Sequence, residues 1–231
     1  MLRAASVALG LSLAALTCSA EARTPIVVEL FTSQGCSSCV SSGDLIGDLA
    51  TRQNVLALTF SVDYWDYLGW ADTFAKPEFA ERQRDYLKRL AVGGGGVTPQ
   101  VVVDGRLQAA AVKPDQVEDL VKQAGKTPHD PPDLDLKPGR VIVGSGRPVH
   151  GGADVWLIRY DPTVQSVPVK RGDNRGRTIV ERNVVCELVR LGGWSGRSKA
   201  YRLPKPSADG LKTVIILQAS HGGRILAVRK T

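Results

Sequence analysis

The sequence predicts an α/β domain followed by an antiparallel β-sandwich, and three observations carry that expectation. Strand-like and helix-like runs alternate between residues 25 and 125, an order that builds a sheet covered on both faces. A proline-rich stretch, Thr127-Pro128-His129-Asp130-Pro131-Pro132, then interrupts the pattern. Beyond it lie short runs rich in β-branched residues, divided by turns such as Gly144-Ser145-Gly146 and His221-Gly222-Gly223, which is the texture of a sandwich. A chain of 231 residues has room for both units.

Residues 1–22 read as a signal peptide. Arg3 supplies the positive end, residues 4–16 form an uncharged apolar run, and Ala20-Glu21-Ala22 is a small-x-small cleavage site. Cys18 raises the alternative of a lipid anchor, but Ala15-Leu16-Thr17 before it fits a lipobox poorly. Soluble export, periplasmic or secreted, is therefore expected. No later segment is long and apolar enough to span a bilayer. Cleavage after Ala22 leaves Cys36, Cys39 and Cys186.

The first domain, residues 24–126, is expected to hold strands at 26–31, 55–62 and 100–103 and helices at 43–53, 78–90 and 113–124. The tetrad Gly93-Gly94-Gly95-Gly96 reads as a flexible connection. Residues 127–138 are expected to be a linker. The sandwich, residues 139–231, is expected to use strands at 140–143, 153–160, 167–170, 178–189, 199–203, 213–219 and 225–228.

Thirty Lys and Arg against 23 Asp and Glu give a net charge of +7. The basic residues are scattered, densest around 170–182, and read as a solvated basic face; attraction to anionic surfaces or acidic partners is the weaker alternative. No nucleic-acid motif accompanies them, so nucleic acid is not expected as a partner.

The chemistry concentrates in Cys36-Ser37-Ser38-Cys39, where a short apolar run ends just before helix-like sequence. Cys36 is thereby expected at a helix N-terminus, which favours a thiolate over a thiol. Cys39, one turn on, can attack a mixed disulfide formed at Cys36. A redox-active dithiol is the first reading, with a structural disulfide and half of a metal site as alternatives. The three histidines, His129, His150 and His221, lie far downstream without ligand-like spacing, so no metal or other cofactor is expected. Cys186, in the strand-like Val184-Val185-Cys186-Glu187, reads as a small buried hydrophobe, with a reactive thiol as the alternative.

Aromatic residues make up 6% of the chain, yet Tyr64, Trp65, Tyr67 and Trp70 fall together, interleaved with Asp66 and preceded by Asp63. Such a concentration suggests a groove wall beside the dithiol, with Tyr64, Trp65 and Trp70 touching substrate; core filling is the alternative. Asp63 and Asp66 lack the partners a metal site needs. In Arg171-Gly172-Asp173-Asn174 the arginine could grip a carboxylate, but Asp173 and Asn174 are expected simply to supply turn geometry.

Thr98-Pro99 opens the strand Gln100-Val101-Val102-Val103, where a proline costs no central ladder bond. Together with Val28-Glu29-Leu30-Phe31 before the cysteines and Val62-Asp63-Tyr64-Trp65-Asp66 after them, this order resembles the thioredoxin fold. More narrowly, it resembles a family of secreted bacterial thioredoxin-like proteins catalogued as domain of unknown function 1223, over nearly the whole mature chain. The resemblance implies that Pro99 is cis and packs beside Cys36 and Cys39, with Thr98 offering its backbone to a substrate strand. It also implies a buried carboxylate beneath the second cysteine, a role for which Glu29 is the candidate proton acceptor, an exposed strand position being the alternative. Val40 departs from the proline usual after the second cysteine.

The resulting expectation is a thiol–disulfide oxidoreductase acting on thiol or disulfide proteins and re-poised by a redox partner. A non-catalytic module holding Cu(I) or an inert disulfide, and a thiol peroxidase using Cys36 alone, are the rivals.

Overall fold

Strands β1 (Ile26–Thr32) and β2 (Val55–Ser61) are buried at every position, as expected for adjacent parallel strands covered on both faces. They form the centre of a mixed α/β protein, seen in a computed structural model that describes residues 24–91, 97–110, 113–127 and 130–231. The expected signal peptide and Gly93–Gly96 connection lie outside the described residues.

Helix α1 (Ser42–Ala50) follows the cysteines, and α2 (Pro77–Arg89) follows β2. Strands β3 (Gln100–Val103) and β4 (Leu107–Ala110) form an antiparallel hairpin, and α3 (Pro114–Gly125) follows. Proline at the first helical position of α2 and α3, acids in the first turn and bases in the last match what a helix end accepts. Alternation along β1 divides the packing. Val28 and Leu30 join Ile46, Leu49, Val117 and Val121 on the α1/α3 face, while Val27 and Phe31 join Phe79 and Tyr86 on the α2 face.

The remaining strands are β5 (Leu134–Lys137), β6 (Arg140–Val143), β7 (Ala153–Asp161), β8 (Gln165–Pro168), β9 (Thr178–Glu181), β10 (Val184–Trp194), β11 (Lys199–Arg202), β12 (Lys212–Ala219) and β13 (Ile225–Lys230). Four of them extend the first sheet, giving eight strands in the order β13-β12-β7-β10-β2-β1-β3-β4. The join is narrow: Val184 of β10 pairs with Thr59 of β2 in parallel. Asn183 reinforces it by donating from Nδ2 to the Ala57 carbonyl at 2.8 Å and accepting from the Thr59 amide at 3.0 Å. The sheet therefore runs through the boundary expected between the two halves. A three-stranded sheet, β11-β6-β5, packs over its far end through Val141, Val143 and Tyr201 against Leu157, Ile215 and Leu217.

Two expectations are corrected. Residues 134–137, assigned to the linker, form β5, with Leu134 and Leu136 half-buried and Asp135 and Lys137 exposed in ordinary strand alternation. The single strand expected at 178–189 breaks into β9 and β10 at Asn183, which takes a left-handed φ of 48°.

β9 folds back onto α1 so closely that a Cβ at Gly43 would lie 2.0 Å from the Val180 carbonyl oxygen. Backbone cannot yield as a flexible side chain does. Gly43→Ala is expected to destabilise by about 1–3 kcal/mol despite alanine's better helix propensity, measured by denaturant unfolding. A neutral or stabilising result would show that β9 does not press on the helix.

Candidate functional site

Cys36 and Cys39 are joined in a disulfide. The cysteines do not occupy the first turn of α1. Cys36 precedes a 3₁₀ turn, Ser37–Cys39, and α1 begins only at Ser42. What would favour a thiolate on Cys36 is instead local: Thr98 Oγ1 and Ser38 Oγ each lie 3.3 Å from its sulfur, and hydroxyl donors stabilise the charged form. In the disulfide form Ser38 Oγ also lies 3.2 Å from the Thr98 carbonyl oxygen, the better acceptor. Both cysteines are buried, at 2% and 3% exposure, while Ser37 and Ser38 between them are exposed.

The Thr98–Pro99 bond is cis. The Thr98 carbonyl oxygen lies 3.8 Å from Cys36 Sγ. Gln83 secures the segment by donating to the Val97 carbonyl at 2.9 Å. Trp65 reaches the same place, its Nε1 donating to Thr98 Oγ1 at 2.7 Å. Gly35 leaves room for that approach: a Cβ there would be a tight 3.3 Å from the Trp65 Cβ.

The other aromatics diverge. Tyr64 donates to Gln83 Oε1 at 3.0 Å, and burial pushes its hydroxyl pKa up. Trp70 turns to Gln34, donating to Oε1 at 3.0 Å. Tyr67, expected in the groove wall but not named among the substrate-touching residues, is the open one: 78% exposed and stacked on Trp65 with centroids 6.4 Å apart.

Beneath the cysteine loop lies a polar cluster that the sequence did not announce. The Gln34 amide N–H donates to Asp72 at 2.7 Å, and its side-chain Nε2 donates to Glu181 at 3.1 Å and Thr73 at 3.0 Å. Ser61 donates to the other Glu181 oxygen at 3.5 Å. Asn174 donates to the carbonyls of Gln34 at 2.9 Å and Cys36 at 3.0 Å. Asn174 thus clamps the cysteine loop, a role beyond the turn geometry expected of it.

Among the described residues Glu181 forms no ion pair. Burial, and then the Asp72 carboxylate, push its pKa up to about 7, against an ordinary 4.5; burial likewise raises Asp72. A raised native pKa means the folded state binds the proton more tightly than the unfolded chain. The associated stability is complete below pH 4.5 and is lost as pH rises through 7. The loss amounts to about 3 kcal/mol. Glu181→Gln, which keeps both hydrogen bonds, should flatten the stability–pH curve between these values and make the variant more stable than wild type at pH 8. An unchanged slope in urea titrations would place the proton elsewhere.

Glu29 is corrected. It alternates onto the α2 face of the sheet, opposite α1 and the residues that carry Cys39, and is fully buried. Arg82 Nε donates to it at 2.7 Å, and the Tyr86 hydroxyl donates to its second oxygen. Both carboxylate oxygens are bonded to α2, an arrangement that gives no support to the proton-acceptor role expected of it. Cys186 is free and half-buried at a bulge in β10, its thiol donating to the Val184 carbonyl at 3.5 Å; burial pushes its pKa up. Among the described residues no helix is long and apolar enough to cross a membrane.

Comparison with known proteins gives two matches. An X-ray crystal structure of a protein from Agrobacterium tumefaciens is 27% identical, covers 89% of this chain and 92% of that one, and superposes with a TM-score of 0.69. Among curated proteins none matches. The profile of the family described as "Protein of unknown function (DUF1223)" matches residues 27–218, which spans the cysteine loop, the Thr98–Pro99 segment and the strands around Glu181. The chain belongs to that family.

Proposed function

We propose that the protein is an exported thiol–disulfide oxidoreductase built on a thioredoxin-like unit, with the β5–β6–β11 layer and the far strands of the large sheet forming a sandwich beside it. The observation that carries the reading is the Cys36–Cys39 disulfide with Thr98 set against the Cys36 sulfur. The order β1-α1-β2-α2-β3-β4-α3, with β1 flanked by parallel β2 and antiparallel β3, supports it. So does the placing of α1 and α3 on one face and α2 on the other.

In this reading the reduced Cys36 thiolate attacks a substrate disulfide. One substrate sulfur leaves as a thiolate and Cys36 becomes mixed-disulfide bonded. Cys39 then loses its proton and attacks Cys36, releasing the second substrate thiolate and re-forming the Cys36–Cys39 bond. The substrate gains two electrons, and the protein loses them. In this reading Glu181, whose partner Ser61 lies in register with Thr32 on the cysteine side of the sheet, accepts the proton from Cys39. The Thr98 backbone and Pro99 position the substrate chain, and Trp65 holds Thr98.

The burial of both cysteines favours a second reading, in which the disulfide is structural and fixes the loop that Asn174 clamps. The midpoint potential of the pair separates the two. Equilibration in glutathione buffers with thiol trapping should give a reversible two-electron transition between about −270 and −120 mV. A pair that stays oxidised, with a potential below about −300 mV, would establish the structural reading instead.

A further inference from the structure

The geometry points to a docking surface for acidic polypeptide segments, formed by the arginine-rich turn between β8 and β9 beside the disulfide. Lys170, Arg171, Arg175 and Arg177 are all exposed, with Asp173 the sole acid among them. Among the described residues none of the four cations has an ion-pair or hydrogen-bond partner for its charged group. What sets these four apart from other exposed cations is their crowding on one short turn with a single acid.

The turn is held in place. Val169 and Arg177 pair through a 2.9 Å bond, Gly176 donates to Val169 at 2.9 Å, and Arg175 donates to Gly172 at 3.1 Å. Asn174, 1% exposed, ties its centre to the carbonyl of Cys36. Gly172 lies against the aromatic segment: a Cβ there would be 3.1 Å from the Leu68 carbonyl and 3.5 Å from the Trp70 Cβ. The turn that carries the four cations is therefore tied to the Cys36 loop, with its exposed Ser37 and Ser38, and packed on the segment that carries Tyr67 and Trp65. Like charges gathered on one short turn add their fields at short range, and salt screens them.

The partner that fits is an extended polypeptide with Asp or Glu flanking its cysteine. Backbone reaches Thr98, a side chain lies on Tyr67, and carboxylates meet the guanidinium groups. Docking rests on the turn alone, whereas its catalytic meaning rests on the disulfide-exchange reading.

The test uses two labelled dodecapeptides, one glutamate-rich and one lysine-rich, each with a central serine, against the wild-type protein and the variant Arg171→Glu/Arg175→Glu/Arg177→Glu. A control with the same net charge change, Arg140→Glu/Arg197→Glu/Lys205→Glu, alters exposed cations elsewhere. The acidic peptide should bind wild type and control alike and weaken about tenfold in the turn variant. A similar loss is expected for wild type between about 50 and 300 mM salt. Equal binding by the two variants, or binding of anionic vesicles but not of the acidic peptide, would overturn the proposal. Repeating the series with cysteine peptides as glutathione mixed disulfides separates the two claims. Peptide binding without exchange would sink the redox reading and leave the docking surface standing. Exchange at one rate for both peptides would do the reverse.

Discussion

Replacing Cys36 with serine is expected to reduce disulfide exchange to its uncatalysed rate, because a hydroxyl can form no mixed disulfide. Cys39→Ala should behave differently. Its Cys36 can still attack, yet nothing resolves the product, so mixed disulfides with substrate should accumulate and be visible on non-reducing gels. Both variants lose the same bond, which closes a loop across a sequence separation of 3. In the chain-entropy picture that costs each about 2 kcal/mol. Stability alone therefore cannot separate them, and trapping can. If the disulfide is purely structural, the two variants will be equally destabilised and neither will capture substrate. If Cys36 is the nucleophile, only Cys39→Ala will.

The elements legible in the sequence were those with a clean period or sharp punctuation. β1 and β2 show as apolar runs, and α2 and α3 open on proline. β4 was missed because Leu107-Gln108-Ala109-Ala110 has no β-branched residue, and β5 because prolines precede it. The continuity of the large sheet left no local trace. It rests on one bridge between Val184 and Thr59 and on Asn183, residues that read as ordinary strand.

The candidate site divides in the same way. Cys36, Cys39, Thr98 and Pro99 belong to short motifs and could be named in advance; Trp65 stood out by composition. Gln34, Asp72, Asn174 and Glu181 could not, because they meet across 38 to 147 residues of chain. Glu29 was misplaced for a related reason. Both faces of β1 are buried, so apolar alternation carries no sign of which side a lone acid takes. The cation that decides the matter, Arg82, lies 53 residues away.

Arg82→Met is expected to produce the largest loss of stability, about 3–5 kcal/mol, because it strands the Glu29 carboxylate in the core. Methionine fills much of the arginine volume, so a cavity contributes little. Arg82 is enclosed: its Nε donates to Glu29 at 2.7 Å and its Nη2 donates to the Tyr86 hydroxyl at 3.0 Å. Its guanidinium lies 5.2–5.7 Å from the ring centroids of Phe60, Tyr86 and Trp156. Burial by itself would lower the pKa of that guanidinium; Glu29 more than reverses this and raises it. Tyr86 also accepts from Gln218 of β12 at 2.9 Å, so the cluster links β1, α2 and the C-terminal strands. Thermal unfolding should fall by about 10 °C for a chain of this size. The double variant Glu29→Met/Arg82→Met removes both charges and should recover most of the loss, since a hydrophobic pair of similar volume often equals a buried ion pair. A double variant no more stable than Arg82→Met would mean that packing, and not the stranded charge, sets the cost. With Glu29 bonded to α2 and Glu181 proposed as the proton holder, the same double variant should retain disulfide exchange in full; loss of exchange with the fold intact would return that role to Glu29.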